Sequence, residues 1–455
     1  MTPTLLALLG FATIVGIIVV LLKNWTGPMI AFIAVPCITA IILLLTGTAS
    51  LADIGAFVKK GVSSVHGTAV LFIFSVTFFG IMTDVGMFDV IINALVKRVG
   101  NNVVGVTLMT CIIAMIGHLD GGGASTFLIT IPAMYPIYKR LRIRPQTLML
   151  ICVTAMGVMN LLPWGGPTMR TASILKIDSN ELWKQILPMQ FVGIIIALFT
   201  AVFWGIVEKK RGAGEGSTLP WEVDDEEEEN ETAAQKNELA RPKLFWFNVI
   251  LTLAIILGLV FLPLQSYHTF MIGCVIALLV NYPGTKMQKK IIKLHCDSAL
   301  MMATTILSAG VFLGILEGTV KAEDSVLHTS IMTHMANLVT AGIPESMGRF
   351  LPLIIGILSV PLALFFSTDS YFYGLLPVLI PIGQAFGVNP LHIGIAMVVC
   401  RNCATFISPC VPATFLGTGL AHIDIKTHIK HSFLWVWGVS FVCLVTGIIL
   451  GIVKF

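Results

Sequence analysis

Charge is what this chain has least of. Only 11% of its 455 residues are Asp, Glu, Lys or Arg, while 56% are hydrophobic. A chain of that composition has too little polar surface to wrap a water-soluble core, so a bilayer must cover the remainder. Also missing is any glycine-rich loop closing on Lys-Ser/Thr, which excludes the phosphate cradle of ATP-driven machines. There is no patch of interleaved basic and aromatic residues. The formal net charge is only +4 and the basic residues are scattered over short loops, which excludes nucleic acid as a partner. The nine cysteines lie mostly in apolar stretches, where Cys acts as a small hydrophobe, and no disulfide framework is expected. Cys400 and Cys403 have the spacing of half a metal site, but no second pair follows. They read as small residues that let helices pack closely. The first apolar stretch, Leu5 to Leu22, lacks the basic start and cleavage site of a secretory signal, and another span follows it, so it reads as a membrane helix.

What is present is hydrocarbon length. Crossing about 30 Å takes roughly 20 helical residues, and hydropathy places spans at 4–22, 26–46, 67–82, 146–175 and 187–207, with an interrupted hairpin at 103–140. A second set occupies 243–262, 267–281, 300–316, a hairpin at 347–386, then 390–419 and 431–452. Residues 208–242 carry the unbroken acidic run Asp224 to Glu229, which cannot enter hydrocarbon. The chain therefore divides into a first half (1–207), an acidic linker (208–242) and a second half (243–455).

The halves superpose without gaps at a spacing of 245 residues, pairing Pro132 with Pro377, Pro136 with Pro381, Pro145 with Pro390 and Pro167 with Pro412. Proline disturbs helices at specific places, so four in one register imply one backbone design used twice. The amphipathic stretches Leu51 to Val65 and Met287 to Leu300 hold equivalent places and are expected to lie along the membrane interface. With both termini outside and the linker cytoplasmic, nineteen Lys and Arg face the cytoplasm against seven outside, as the positive-inside rule requires. Each half then crosses five times, so the second repeat is inverted relative to the first. The expected architecture is an all-α polytopic membrane protein of two inverted repeats, each with a re-entrant hairpin and a broken span.

Irregular backbone at membrane depth is tolerated only where protein buries it or it lines a cavity. Both hairpin tips are irregular, at Gly117 to Thr126 and at Ser367 to Tyr371, and each offers a carboxylate, Asp120 or Asp369, beside small or hydroxyl residues. Both long spans break, at Asn160 to Thr168 and at Thr405 to Thr414. A broken helix presents free N–H groups and a positive dipole end to an anion, and freed carbonyls to a cation. Charges inside a membrane are costly. Asp120, Asp369, Arg170 and Arg401 therefore mark a site, against the plainer alternatives that Arg170 snorkels to the outer surface and Arg401 only pairs with Asp369. His118 is either a proton relay or a packing residue. Asp84 and Asp89 read as solvated and are given no role.

At these residues the chain resembles the citrate–divalent metal/proton symporter family of the ion transporter superfamily. The likeness rests on Leu119-Asp120-Gly121 through Thr130, on Tyr138 to Leu141, on Gly157 to Asn160 through Pro163-Trp164-Gly165-Gly166-Pro167-Thr168 with Arg170, on Asp369 to Gly374 and on Ser408 to Thr414. Cys400 to Thr405 differs from the Gly-Gln-Pro-Val-His pattern of that family. The resemblance implies a homodimer with a scaffold and an elevator-type transport domain, importing citrate complexed to a divalent metal with protons. No tightly bound cofactor is implied, since the metal travels with the substrate. Oxygen donors for a cation would be Asp120, Ser125, Asp369 and Ser370, with Asp120, Asp369 and His118 handling protons. The substrate would meet Gly122, Gly123, Ser125, Thr126, Asn160, Gly165, Gly166, Thr168, Arg170, Ser370, Tyr371, Arg401, Asn402, Thr405, Ser408 and Thr414. The alternative is a proton- or sodium-coupled carrier of free citrate or another di- or tricarboxylate. More distant are an open channel and an intramembrane hydrolase using Asp120 and Asp369 as a dyad. The bacterial inner membrane is the expected location.

Overall fold

The computed structural model describes residues 1–23, 25–97, 102–214, 238–322, 325–342 and 344–455, and among them there are helices and no strands. The first half holds α1 (Pro3–Leu22), α2 (Pro28–Leu45), α3 (Leu51–Asp84), α4 (Met87–Val96), α5 (Val103–Gly117), α6 (Gly123–Arg140), α7 (Pro145–Met159), α8 (Gly166–Leu175) and α9 (Ser179–Lys210). The second holds α10 (Phe245–Phe261), α11 (Ser266–Asn281), α12 (Thr285–Glu317), α13 (Ile331–Thr340), α14 (Leu351–Ala363), α15 (Leu376–Ala385), α16 (Pro390–Cys403), α17 (Pro412–Leu420) and α18 (Ile425–Ile449). Eight helices among the described residues are long and apolar enough to cross a membrane.

Local chemistry sets many of the boundaries. Ser50 and Asp53 close a capping box at the start of α3, and Asn102, Asp178, Asn389 and Asp424 cap α5, α9, α16 and α18 through their side chains. Pro145 and Pro390 open α7 and α16, where the missing N–H costs nothing and the fixed φ suits the first turn. Pro132, Pro136 and Pro381 stand inside α6 and α15.

Three expectations change. The spacing of 245 fits from Pro145 to Pro390 and from Arg140 to Ala385, but Leu51 and Thr285, which start α3 and α12, are 234 apart. The gapless superposition therefore stops short of the first three helices, because the link from Glu317 to Ile331 is longer than that from Asp84 to Met87. Secondly, no separate helix lies at Leu51 to Val65 or Met287 to Leu300. Each is the first part of one continuous helix, 34 residues in α3 and 33 in α12, or about 50 Å at helical rise. The two helices cross by backbone contact, where a Cβ on Gly61 would stand 2.0 Å from the Gly310 carbonyl oxygen and 2.6 Å from Gly314 Cα. Small residues there serve helix packing.

Thirdly, Glu208 is not part of a solvated linker. It belongs to α9 with its side chain fully buried, taking hydrogen bonds from Arg144 Nε at 2.7 Å, Thr147 Oγ1 at 2.6 Å and Arg211 Nε at 2.9 Å. The acidic run at 224–229 lies outside the described residues. Because Arg144 and Arg211 are partly exposed, solvent screens these pairs. Glu208→Gln should cost about 1–3 kcal/mol and lower the melting temperature of the purified protein. An unchanged melting curve would show that the clasp adds no stability.

Candidate functional site

Three helices begin at one cavity of about 610 Å³. They are α6, α8 and α17, whose N-cap positions are Gly122, Gly165 and Val411, and none of them has a side-chain cap. Their first turns, through Gly123, Ala124, Ser125, Gly166, Pro167, Pro412 and Ala413, line the cavity wall. Uncapped N-termini offer N–H donors and the positive end of the helix dipole, which together favour an anion. The two breaks meet side by side. Asn160 Nδ2 donates to Asn402 Oδ1 at 3.2 Å, Thr405 Oγ1 donates to the same oxygen at 3.3 Å, and Thr168 Oγ1 donates to the Asn160 carbonyl at 3.5 Å.

The first hairpin tip turns through Gly121, whose φ of 72° suits glycine. Asp120 lines the cavity, and its carboxylate accepts the Gly122 N–H at 2.7 Å and the Ser125 hydroxyl. A Cβ on Gly123 would stand 2.3 Å from the Phe406 ring, so only glycine lets tip and second break approach this closely. Trp164 ties the tip to the first break by donating its indole N–H to the Leu119 carbonyl at 2.7 Å. Its ring packs on Phe79 of α3 and Phe270 of α11, with centroids 5.0 and 5.4 Å away. His118 is buried behind the tip, its Nδ1 2.8 Å from Thr126 Oγ1, its Nε2 without a partner and its ring edge-on to Phe406.

The two intramembrane arginines differ. Arg170, on α8, lines the cavity and donates through Nε to Asp369 Oδ1 at 2.6 Å. Asp369, in the second hairpin tip, lines a separate cavity of about 410 Å³. Arg401 is fully buried behind the wall, donating to Thr405 Oγ1 at 3.1 Å, the Phe366 carbonyl at 3.4 Å and Thr368 Oγ1 at 3.5 Å. Its guanidinium lies 5.8 Å from the centre of the Tyr371 ring. Among the described residues it forms no ion pair, so the partner of Asp369 is Arg170.

Of the residues singled out from sequence, Asp120, Gly122, Gly123, Ser125, Asn160, Gly166, Arg170 and Thr405 line the larger cavity. Gly165, Thr168, Asn402, Thr126 and His118 support that wall. Ser370 bonds to Ser367 at 2.8 Å and Tyr371 to Ser359 at 2.6 Å inside the second hairpin. Ser408 donates to the Ala363 carbonyl, and Thr414 is buried with its hydroxyl unpartnered. Asp120 and Asp369 line different cavities, and no group of three or more His, Cys, Asp or Glu among the described residues is placed to hold a metal.

The opposite wall, from α3 and α12, was not foreseen. It brings Thr83, Asp84, His295, Ser298 and Met302 to the cavity. Asp84, read as solvated, is largely buried and 2.9 Å from His295 Nε2. The pair joins residues 211 apart in sequence, and no local pattern announces it. Gly80 makes room for the imidazole, since a Cβ there would stand 2.4 Å from the ring.

The fold is one that membrane transporters use. It is similar to the YdaH transporter of Alcanivorax borkumensis (TM-score 0.60, 14% identity, covering 94% of this chain and 98% of that one). It is also similar to MtrF of Neisseria gonorrhoeae, from a class of antimetabolite efflux pumps (TM-score 0.54, 14% identity, 89% and 84% covered). The chain belongs to the citrate transporter family CitMHS, whose model matches residues 3–400. Two relatives from Bacillus subtilis (strain 168) are each 34% identical: a citrate transporter, over 99% of this chain and all of that one, and a Mg(2+)/citrate complex secondary transporter, over 98% of both. A multi-pass membrane transporter, and not an enzyme, is what these relations establish.

Proposed function

We propose that this protein imports citrate as a divalent-metal complex by symport with protons across a bacterial inner membrane. The observation that carries this reading is the convergence of three uncapped helix N-termini and Arg170 on one cavity of about 610 Å³, a volume and polarity suited to a small polyanion. Asp120 and Ser125 supply hard oxygen atoms on the same wall for the accompanying cation. The Mg(2+)/citrate relative supports the metal complex.

The recurring helix order supports two inverted repeats, with the hairpins α5–α6 and α14–α15 and the broken spans α7–α8 and α16–α17 forming the transport domain of a homodimer. It would move as an elevator against a scaffold built on the α3–α12 crossing. In the topology with both termini outside, Asp84 and His295 stand on the cytoplasmic side of the cavity.

Uptake of labelled citrate into cells expressing the protein tests the reading. Chelator should abolish accumulation, Mg²⁺ added back should restore it, and a protonophore should collapse it. Accumulation that survives chelator would replace the metal complex by free citrate, and accumulation that follows a sodium gradient alone would remove proton coupling.

A further inference from the structure

We propose that the Arg170–Asp369 ion pair is a displaceable lock that makes anion and cation travel together. A substrate carboxylate takes the place of Asp369 on Arg170, and the released Asp369 carboxylate, in its separate cavity, then receives the symported proton or a further cation, distinct from the metal held with citrate beside Asp120. The inference rests on the reading of the larger cavity as a citrate site.

The geometry leaves Arg170 room for a second carboxylate. Among the described residues only its Nε meets an oxygen, at 2.6 Å, while Nη2 faces the Met302 sulfur at 3.9 Å. Nη1 lies over Gly166, where a Cβ would stand 2.7 Å from it. Two of the three guanidinium nitrogens therefore have no oxygen partner among the described residues, and the side chain lines the cavity. A bidentate partner is what a guanidinium binds best, and citrate offers one where Asp369 uses a single oxygen.

Asp369 stands on the far side. It lines the cavity of about 410 Å³ with Thr26, Ser367 and Cys410, so the pair bridges two separate spaces. The titratable groups facing it are Arg170 from α8, Tyr373 from its own hairpin and Cys410 from the second break.

Coupling follows from charge. The side chains of Arg170 and Asp369 are 7% and 18% exposed, and stripping a buried charge of its partner is strongly unfavourable. Unloaded, the pair is neutral and the carrier can cross hydrocarbon. When citrate occupies Arg170, Asp369 is left bare and must be neutralised by a proton or a divalent ion before the site can move. A cation arriving first finds Asp369 already neutralised by Arg170. Neither ligand alone leaves both Arg170 and Asp369 compensated.

Calorimetry on the purified full chain, with citrate in chelator at two pH values and in Mg²⁺, decides the matter. Asp369→Asn and Asp369→Ala should both bind citrate more tightly than wild type, because the competitor for Arg170 is gone, and should lose accumulation. Arg170→Gln should weaken binding. Binding to the wild type should tighten as pH falls if the cation on Asp369 is a proton, or with Mg²⁺ beyond what the citrate complex itself needs if it is divalent, and that part of the response should vanish in Asp369→Asn. Alkylation of native Cys410, followed by mass spectrometry, should speed up with citrate in wild type and be fast without citrate in Asp369→Asn. Weaker citrate binding by Asp369→Asn, or a Cys410 rate indifferent to citrate, overturns the lock while leaving the citrate site intact. A wild type that binds no citrate in any arm removes the citrate reading and the lock with it.

Discussion

Gly165→Ala should cut citrate accumulation roughly tenfold to a hundredfold while leaving the protein inserted and folded. The backbone at Gly165 has φ −66° and ψ 134°, a conformation open to any residue, so the effect is steric and not conformational. A Cβ there would stand 2.1 Å from the Asn160 carbonyl oxygen, 2.9 Å from its carbon and 3.0 Å from the Leu162 oxygen. All three are main-chain atoms and cannot swing aside. They belong to the turn that ends α7, and the Asn160 carbonyl is the oxygen to which Thr168 and Asn402 donate. Forcing this turn open costs about 1–3 kcal/mol, which is roughly a tenfold to hundredfold loss of correctly formed site. Labelled-citrate uptake, normalised to protein in the membrane, reads the loss directly. Gly419→Ala in α17 is the control, since nothing lies within 4 Å of a Cβ there, and it should transport normally. A Gly165→Ala protein that accumulates citrate at the wild-type rate would dissociate the α7–α8 break from the site.

That steric constraint shows why the breaks were legible in the sequence. Pro163, Gly165, Gly166 and Pro167 act on the backbone within a few residues of themselves, so the interruption of the span is written where it occurs. The same holds for Gly121 to Gly123 at the first hairpin tip, and for Pro145 and Pro390 at helix starts. Contacts made by folding were not written this way. Arg170 meets Asp369 across 199 residues, and nothing near either one distinguishes that pairing from one between Arg401 and Asp369. Gly61 lies in a stretch whose Lys and Ser residues suggest an interfacial helix, yet it seats α3 against Gly310 and Gly314 of α12. Glu208 ends an apolar run just before Lys209 to Arg211, and besides its neighbour Arg211 it is Arg144 and Thr147, more than 60 residues earlier, that draw it inward. Asp84 has the same history with His295. Local backbone chemistry was readable, and long-range charge pairing was not.

Arg401 poses the remaining question of charge. It is fully buried, its Nε has no partner, and no carboxylate among the described residues pairs with it. An uncompensated cation in a membrane is expensive. Two of its three hydrogen-bond partners, Thr405 and Thr368, line the cavity while Arg401 itself stands behind them. Arg401 therefore acts on the cavity in two separable ways. Its charge raises the positive potential where the anion sits, worth on the order of 2 kcal/mol at an effective dielectric constant of about 20. Its fork also holds the Phe366 carbonyl and Thr368 of the second hairpin against Thr405 of the second break. Arg401→Gln removes both actions and should weaken apparent citrate affinity about thirtyfold at that energy, with a steeper dependence on divalent metal, because the metal must then supply the lost positive charge. Arg401→Lys keeps the charge but cannot span three acceptors. It should retain wild-type metal dependence while losing part of the affinity and lowering the transport rate. Uptake measured over a range of Mg²⁺ concentrations separates the two variants. If Arg401→Gln keeps both the affinity and the metal dependence of the wild type, Arg401 plays no part in recognising the anion and its burial serves the second hairpin alone.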